Sequence, residues 1–279
     1  MKKVLKAVIA ALLLTGCAEN VEKSAMRFLT AAEEALVAGD FNVAKAQVDS
    51  IKVVYPKAFE ARKAGITLMR KIEMAEAEKT YAYTDSLLSE SISEAERLIP
   101  NFVFEKNEEY QEVGNYLCAS QQIERNLTRS YLRATVDEKG RMTMTSQWRG
   151  GAYIHHHSVK VSAGGTFSQT PEADDTYESS DALAKTERND FVLGEDGGVI
   201  EFIALHAGET VKVEFVGEKS TSATTLTRAD TKAFADLLEL SRVLSTVTEL
   251  NAMQDETTRK IAFLQSKEAA AENPVPQQE

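Results

Sequence analysis

Three consecutive histidines, His155-His156-His157, form the densest run of metal-ligating side chains in the sequence. Alternate residues of a β-strand share a face, so His155 and His157 are placed to hold one zinc ion, with His206 or a carboxylate completing a tetrahedral set. Against that, there is no second spaced His pair, and no Glu stands at helical spacing from either ring. The competing reading is a wet sheet face with one semi-buried ring among its polar residues. Just upstream, Trp148-Arg149-Gly150-Gly151-Ala152-Tyr153 sets the single tryptophan beside flexible glycines. Trp148, Arg149 and Tyr153 are thus candidates for a glycan or small-ligand platform, while the same Trp could equally anchor a small β core. Nucleophilic templates find less. There is no Gly-x-Ser-x-Gly, no phosphate-binding glycine pattern and no His near Cys118, and paired carboxylates carry no information among 43 acids. A Ser-His-Asp set stays open only because its members need not be close in sequence. The expectation is a non-enzyme without a cofactor or resident metal.

Composition narrows the partners. With 32 Lys and Arg against 43 Asp and Glu the net charge is −11, which disfavours nucleic acid, since phosphate binding needs clustered cations.

At the N-terminus Lys2, Lys3 and Lys6 accompany an apolar run from Val4 to Leu14 that ends in Leu14-Thr15-Gly16-Cys17. The run is too short to span a bilayer and has the layout of a secretory signal. These residues resemble the lipobox of bacterial lipoproteins. The resemblance implies that residues 1–16 are a signal peptide, that cleavage precedes Cys17, and that Cys17 is acylated and tethers the mature protein to membrane lipid. Removing three lysines and no acid takes the charge from −11 to −14. Ala18 stands where some bacteria place an inner-membrane retention aspartate, so the resemblance favours the outer membrane of the cell envelope. No later segment offers ~20 consecutive apolar residues. Cys118 is then the only remaining thiol, expected as a buried structural one.

The elements that would position these groups are readable from periodicity. Ala25, Phe28, Leu29, Ala32, Ala35 and Leu36 recur at three and four, Gly39 stops that helix, and Asp40 caps a second with Phe41, Ala44, Val48 and Ile51 inward. The turn Gly39-Asp40-Phe41, Ala44 and Pro56 resemble a tetratricopeptide repeat, with Phe28, Ala32 and Ala35 in place of its usual Trp, Gly and Tyr. The resemblance implies a helical cap over residues 17–57, and a plain helical hairpin is the alternative. Residues 58–99 and 229–270 read as two long helices, ~60 Å each, the second capped by Asp230. Equal length and apolar seams suggest an antiparallel coiled-coil-like stalk, the alternatives being separate bodies or a homodimer.

Between them, Tyr110, Val113 and Leu117 predict a connecting helix over 107–128. Period-two alternation from Ser130 then predicts an antiparallel sandwich or barrel over 129–228, with a hairpin turn at Asp137-Glu138-Lys139-Gly140. Strands are expected at 142–148, 152–162, 191–193, 199–205, 210–215 and 220–227. The acidic, Ser-rich stretch 171–190 reads as an exposed loop, and 271–279 as a flexible tail. The fold class is α+β. The function it suggests is a non-catalytic envelope scaffold with a protein partner, or alternatively a glycan or small-ligand binder through the β domain.

Overall fold

The computed structural model describes residues 21–272. The lipobox with Cys17, and residues 273–279 of the tail, lie outside the described residues. The chain is α+β, with long helices and two antiparallel sheets. It divides into one unit of Met1–Ser86 with Ala252–Glu279 and a second of Leu87–Asn251.

In the first unit, helical residues 21–37 (α1) lead through Gly39 into α2 (Phe41–Val54). Asp40 caps α2 as its sequence position demands, accepting from the Val43 N–H at 3.1 Å. The core is rich in alanine: Ala25, Ala32, Ala44, Ala58 and Ala61 are fully buried beside Ile51 and Ile72. Small side chains let the helix axes approach closely, and Gly65 extends this, since a Cβ there would stand 3.3 Å from Val48. Parts of α3 (Phe59–Leu98) and α5 (Arg228–Glu272) complete this unit. Asp85 accepts from Gln254 and Glu76 from Lys260, so the two helices run antiparallel here.

The second unit holds both sheets. One has the order β1 (Val103–Glu105), β2 (Asn115–Leu117), β3 (Tyr131–Asp137), β4 (Met142–Gly150), β8 (Lys185–Val192), β7 (Tyr177–Ser180). The other has the order β10 (Thr221–Thr225), β9 (Lys212–Gly217), β5 (His156–Ala163), β6 (Thr166–Gln169). A single core draws on both: Leu132, Val136 and Met144 from the first, Val159, Val213 and Phe215 from the second, with Phe234 and Leu237 of α5. Each such fully buried large side chain contributes roughly 1.5–3 kcal/mol. The β3–β4 turn forms where expected, with Asp137 Oδ1 accepting from Lys139 and Arg141 N–H groups.

Four expectations are corrected. Residues 107–128 form no α-helix but β2 and two 3-10 turns. Gly114 lets the backbone lie against the Phe104 ring, where a Cβ would come within 2.1 Å, and β2 then pairs with β1 and β3. The stretch 171–190 is not a plain loop. It supplies β7 and most of β8, its polarity tolerated because Glu187 and Asn189 find hydrogen bonds inside.

Val199–Leu205 is a helix, α4, since buried Asp196 accepts from the Ile200 N–H at 2.6 Å and starts a turn. A short apolar run, interrupted here only by Glu201, fits either element. Finally, α5 begins at Arg228, with Thr227 as its cap. The Asp230 N–H donates to Thr227 Oγ1 and Asp230 Oδ2 accepts from the Thr227 N–H, a reciprocal capping box.

Candidate functional site: a buried histidine and carboxylate between the sheets

Strand β4 alternates Met142, Met144, Ser146 and Trp148 inward, and β8 does the same with Glu187, Asn189 and Phe191. One polar layer thus interrupts an apolar core, and His156 at the head of β5 meets it from the other sheet. Glu187 is fully buried. Its Oε1 accepts from the N–H groups of Ile154 at 2.7 Å and His155 at 2.8 Å. Its Oε2 accepts from the His156 N–H at 2.7 Å and from His156 Nδ1 at 2.9 Å. Three successive N–H groups converge on one carboxylate because His155 takes φ +53°, alone among the described non-glycine residues in having a positive φ.

The far nitrogen of His156, Nε2, lies 2.9 Å from Ser146 Oγ, and its carbonyl accepts from Asn189 Nδ2 at 2.7 Å. Burial lowers the proton affinity of His156 more than its Glu187 partner restores it. For Glu187, burial alone would raise the carboxyl pKa, but the donors from His156, His155 and Ile154 outweigh it and hold it below the ordinary range. The carboxylate is therefore charged and the imidazole neutral at pH 7, Nδ1–H donating to Glu187 and Nε2 accepting from Ser146.

Ser146, His156 and Glu187 thus have the connectivity of a catalytic triad. All three are 0% exposed, so no acyl carbon reaches Ser146 Oγ from solvent. What the arrangement does chemically is fix one tautomer and one charge between the two sheets.

Around this centre lie the residues singled out by type. Arg149 reaches Asp181 at 3.0 Å, and the Tyr153 hydroxyl donates to the Ser179 carbonyl at 3.0 Å, both toward β7. Tyr153 stacks on the His155 ring, with centroids 6.0 Å apart. Trp148 does not join them: its ring faces the core at 5% exposure.

The three histidines proposed for a metal are not brought together. His155 contacts Glu178 Oε1 at 2.7 Å and accepts from Lys219 Nζ at 2.9 Å. His157 lies 3.9 Å from Glu172. His206 sits by Gly164 at the opposite end of β5, ~23 Å along an eight-residue strand, with Nδ1 3.0 Å from Glu209. His155, Glu178 and Glu187 do place ligand atoms within 4.8 Å of one another. A divalent ion there would have to displace the Lys219 ammonium and the N–H groups already on Glu187. Sequence reasoning missed Ser146, His156 and Glu187. The available signal was a polar residue at an inward position of each strand.

Cys118 lies between β2 and a 3-10 turn, not in a helix, and burial pushes its thiol up to about 11. In a Cys17→Ser chain, alkylation of Cys118 at neutral pH, followed by mass spectrometry, is expected to run roughly a hundredfold slower than that of a free thiol.

No protein-family model matches the chain, and neither a curated protein nor a solved structure resembles it significantly.

Proposed function

We propose that the chain is a lipid-anchored protein of the bacterial cell envelope, in the outer membrane, that acts as a non-catalytic scaffold for a protein partner. The observation that carries this reading is the ordered signal ending in Leu14-Thr15-Gly16-Cys17. It is supported by the described helices, none of which is long and apolar enough to cross a membrane, so that acylated Cys17 serves as the attachment. The burial of the triad-like set favours a structural use of those groups over catalysis.

In this reading α1 and α2 form the tetratricopeptide-like cap and the antiparallel parts of α3 and α5 act as the stalk pair. The two sheets form a sandwich, supported by their shared core. Partner surfaces are offered at sheet edges, where β6 exposes Phe167 and β7 exposes Tyr177.

The second reading, a glycan or small-ligand binder, is favoured by the outer surface beside β7. There Lys185 lies over Tyr153 at 5.3 Å and Arg188 over Tyr177 at 5.2 Å. Arg149 and Tyr153 would carry it, while Trp148 is buried in the core.

Metabolic labelling with an alkyne fatty acid, followed by envelope crosslinking, tests the leading reading. Label on the wild-type chain, loss of label from Cys17→Ser and a crosslinked protein partner are the results expected. Equal labelling of both chains would refute the anchor.

A further inference from the structure

The first unit carries a surface that runs against the acidic character of the chain. Residues 52–71 hold Lys52, Lys57, Arg62, Lys63, Arg70 and Lys71 against the single acid Glu60, whereas the whole chain has a net charge of −11. Among the described residues none of these six cations makes an ion pair, although fourteen ion pairs occur elsewhere. Four of them, Lys52, Arg62, Lys63 and Arg70, rim a groove of about 640 Å³ between α2 and α3, which Asp49 also lines. The floor is apolar, built on Val48 and Ile51 with Gly65 packed close against them. Phe59 and Ile66 stand in the same groove at 70% and 59% exposure. Large apolar side chains inside a ring of unpaired cations suit an interface whose surface is anionic and whose interior is hydrocarbon.

The position of the N-terminus adds a second argument. Glu22 accepts from the N–H groups of Glu60 at 3.3 Å and Ala61 at 3.2 Å, so this part of α1 lies at the start of α3, next to Phe59. Cys17 is five residues before Glu22 and can be at most ~17 Å from it along an extended chain.

We infer that this face of α2 and α3 docks on an anionic bilayer. Lys52, Arg62, Lys63 and Arg70 meet lipid phosphates while Phe59 and Ile66 enter the acyl boundary. The nearness of the anchor rests on the lipoprotein reading; the charge and the apolar groove do not. A flexible acidic peptide would satisfy the cations but has no hydrocarbon for Phe59 and Ile66.

The test uses residues 17–279 carrying Cys17→Ser, which retain every described residue and bear no lipid, in co-sedimentation with vesicles. Binding is expected to vesicles containing phosphatidylglycerol, to be weak on pure phosphatidylcholine, and to fall with added salt. The variant Lys52→Ala, Arg62→Ala, Lys63→Ala, its fold checked by circular dichroism, should bind about a hundredfold more weakly, at roughly fivefold per cation. A control variant, Lys106→Ala, Lys139→Ala, Arg141→Ala, should bind as the parent does. Equal binding to both lipid compositions, equal binding by both triple variants, or capture of polyglutamate in place of vesicles would overturn the inference. Because the protein is unacylated, failure here leaves the anchor reading to its own labelling test, and failure of labelling leaves vesicle binding to be judged alone.

Discussion

Glu187→Gln is expected to destabilise the second unit by about 3–5 kcal/mol, since at least two buried donors lose their acceptor at about 1–3 kcal/mol each. The substitution keeps the size of the side chain and removes the charge. Four donors, the N–H groups of Ile154, His155 and His156 and the His156 ring, now face an amide with one acceptor oxygen. Whichever way the amide turns, its NH₂ meets other donors, and each orphaned donor costs about 1–3 kcal/mol. Urea unfolding followed by the fluorescence of Trp148, buried in the same core, measures the loss. A change under 1 kcal/mol would mean that the network is not as tightly held as its geometry indicates.

The same centre sets an acid response. Since the pKa of folded His156 is depressed below 6.5, the unfolded chain takes up its proton first. Stability therefore falls as pH drops from about 6.5, by at most about 1.4 kcal/mol per pH unit for this one group, until the folded ring titrates. The pKa of Glu187 is depressed below 4.5, so its contribution is intact above that pH and is lost as pH falls through the folded value. In Glu187→Gln the lower step in a plot of unfolding free energy against pH should shrink by the share of Glu187 and keep that of Asp230, whose pKa is also depressed.

Asp230→Ala should cost about 2–4 kcal/mol, because it removes the capping group at the start of α5 and orphans a buried amide, while Arg129, a third exposed, regains water. This fully buried carboxylate accepts from Arg129 Nη1 at 2.8 Å, Arg129 Nη2 at 2.7 Å and Gln121 Nε2 at 2.9 Å. It also accepts from the Thr227 N–H at 2.9 Å. Burial would raise its pKa, but the Arg129 and Thr227 hydrogen bonds hold it below the ordinary range, so it is charged at neutral pH. Truncation leaves the Gln121 amide buried without this acceptor, opens a capping box and frees Arg129. Because removing both partners leaves no unpaired charge, Arg129→Met combined with Asp230→Ala should be less destabilised than the sum of the two single changes. Strict additivity in that double-mutant cycle would show that the pair is not coupled.

Much of the local structure was legible where one short-range cause dominates. Asp40 caps α2 because its side chain reaches an N–H three residues away, and Asp137 shapes its turn in the same manner. The long helices follow from a 3.6-residue repeat sustained without proline. Elements failed to be legible where a distant partner decides. Val199–Leu205 is apolar but for Glu201 and became a helix through Asp196, while Asn115–Leu117 carries helical spacing and became a strand through pairing with β1 and β3.

The candidate site shows the same division more sharply. His155 and His157 drew attention as alternate residues of a strand, but β5 begins at His156 and shifts register between His156 and Ser158, so the alternation does not hold. The residue that matters is the middle one, and its partners Ser146 and Glu187 lie 10 and 31 residues away in sequence.

By itself the sequence determined the α+β class, the two long helices, the cap of α2 and the hairpin between β3 and β4. It also carries the signal ending in Cys17 on which the anchor proposal rests. These are properties of contiguous residues, set by periodicity, capping and backbone preference. Only the tertiary structure decided that an acidic, Ser-rich stretch would be half strand, that Glu187 would be charged inside a core, and that unpaired cations of α2 and α3 would rim one groove. A buried charge is stable only when donors from several segments reach it together, and no local pattern records which segments those will be.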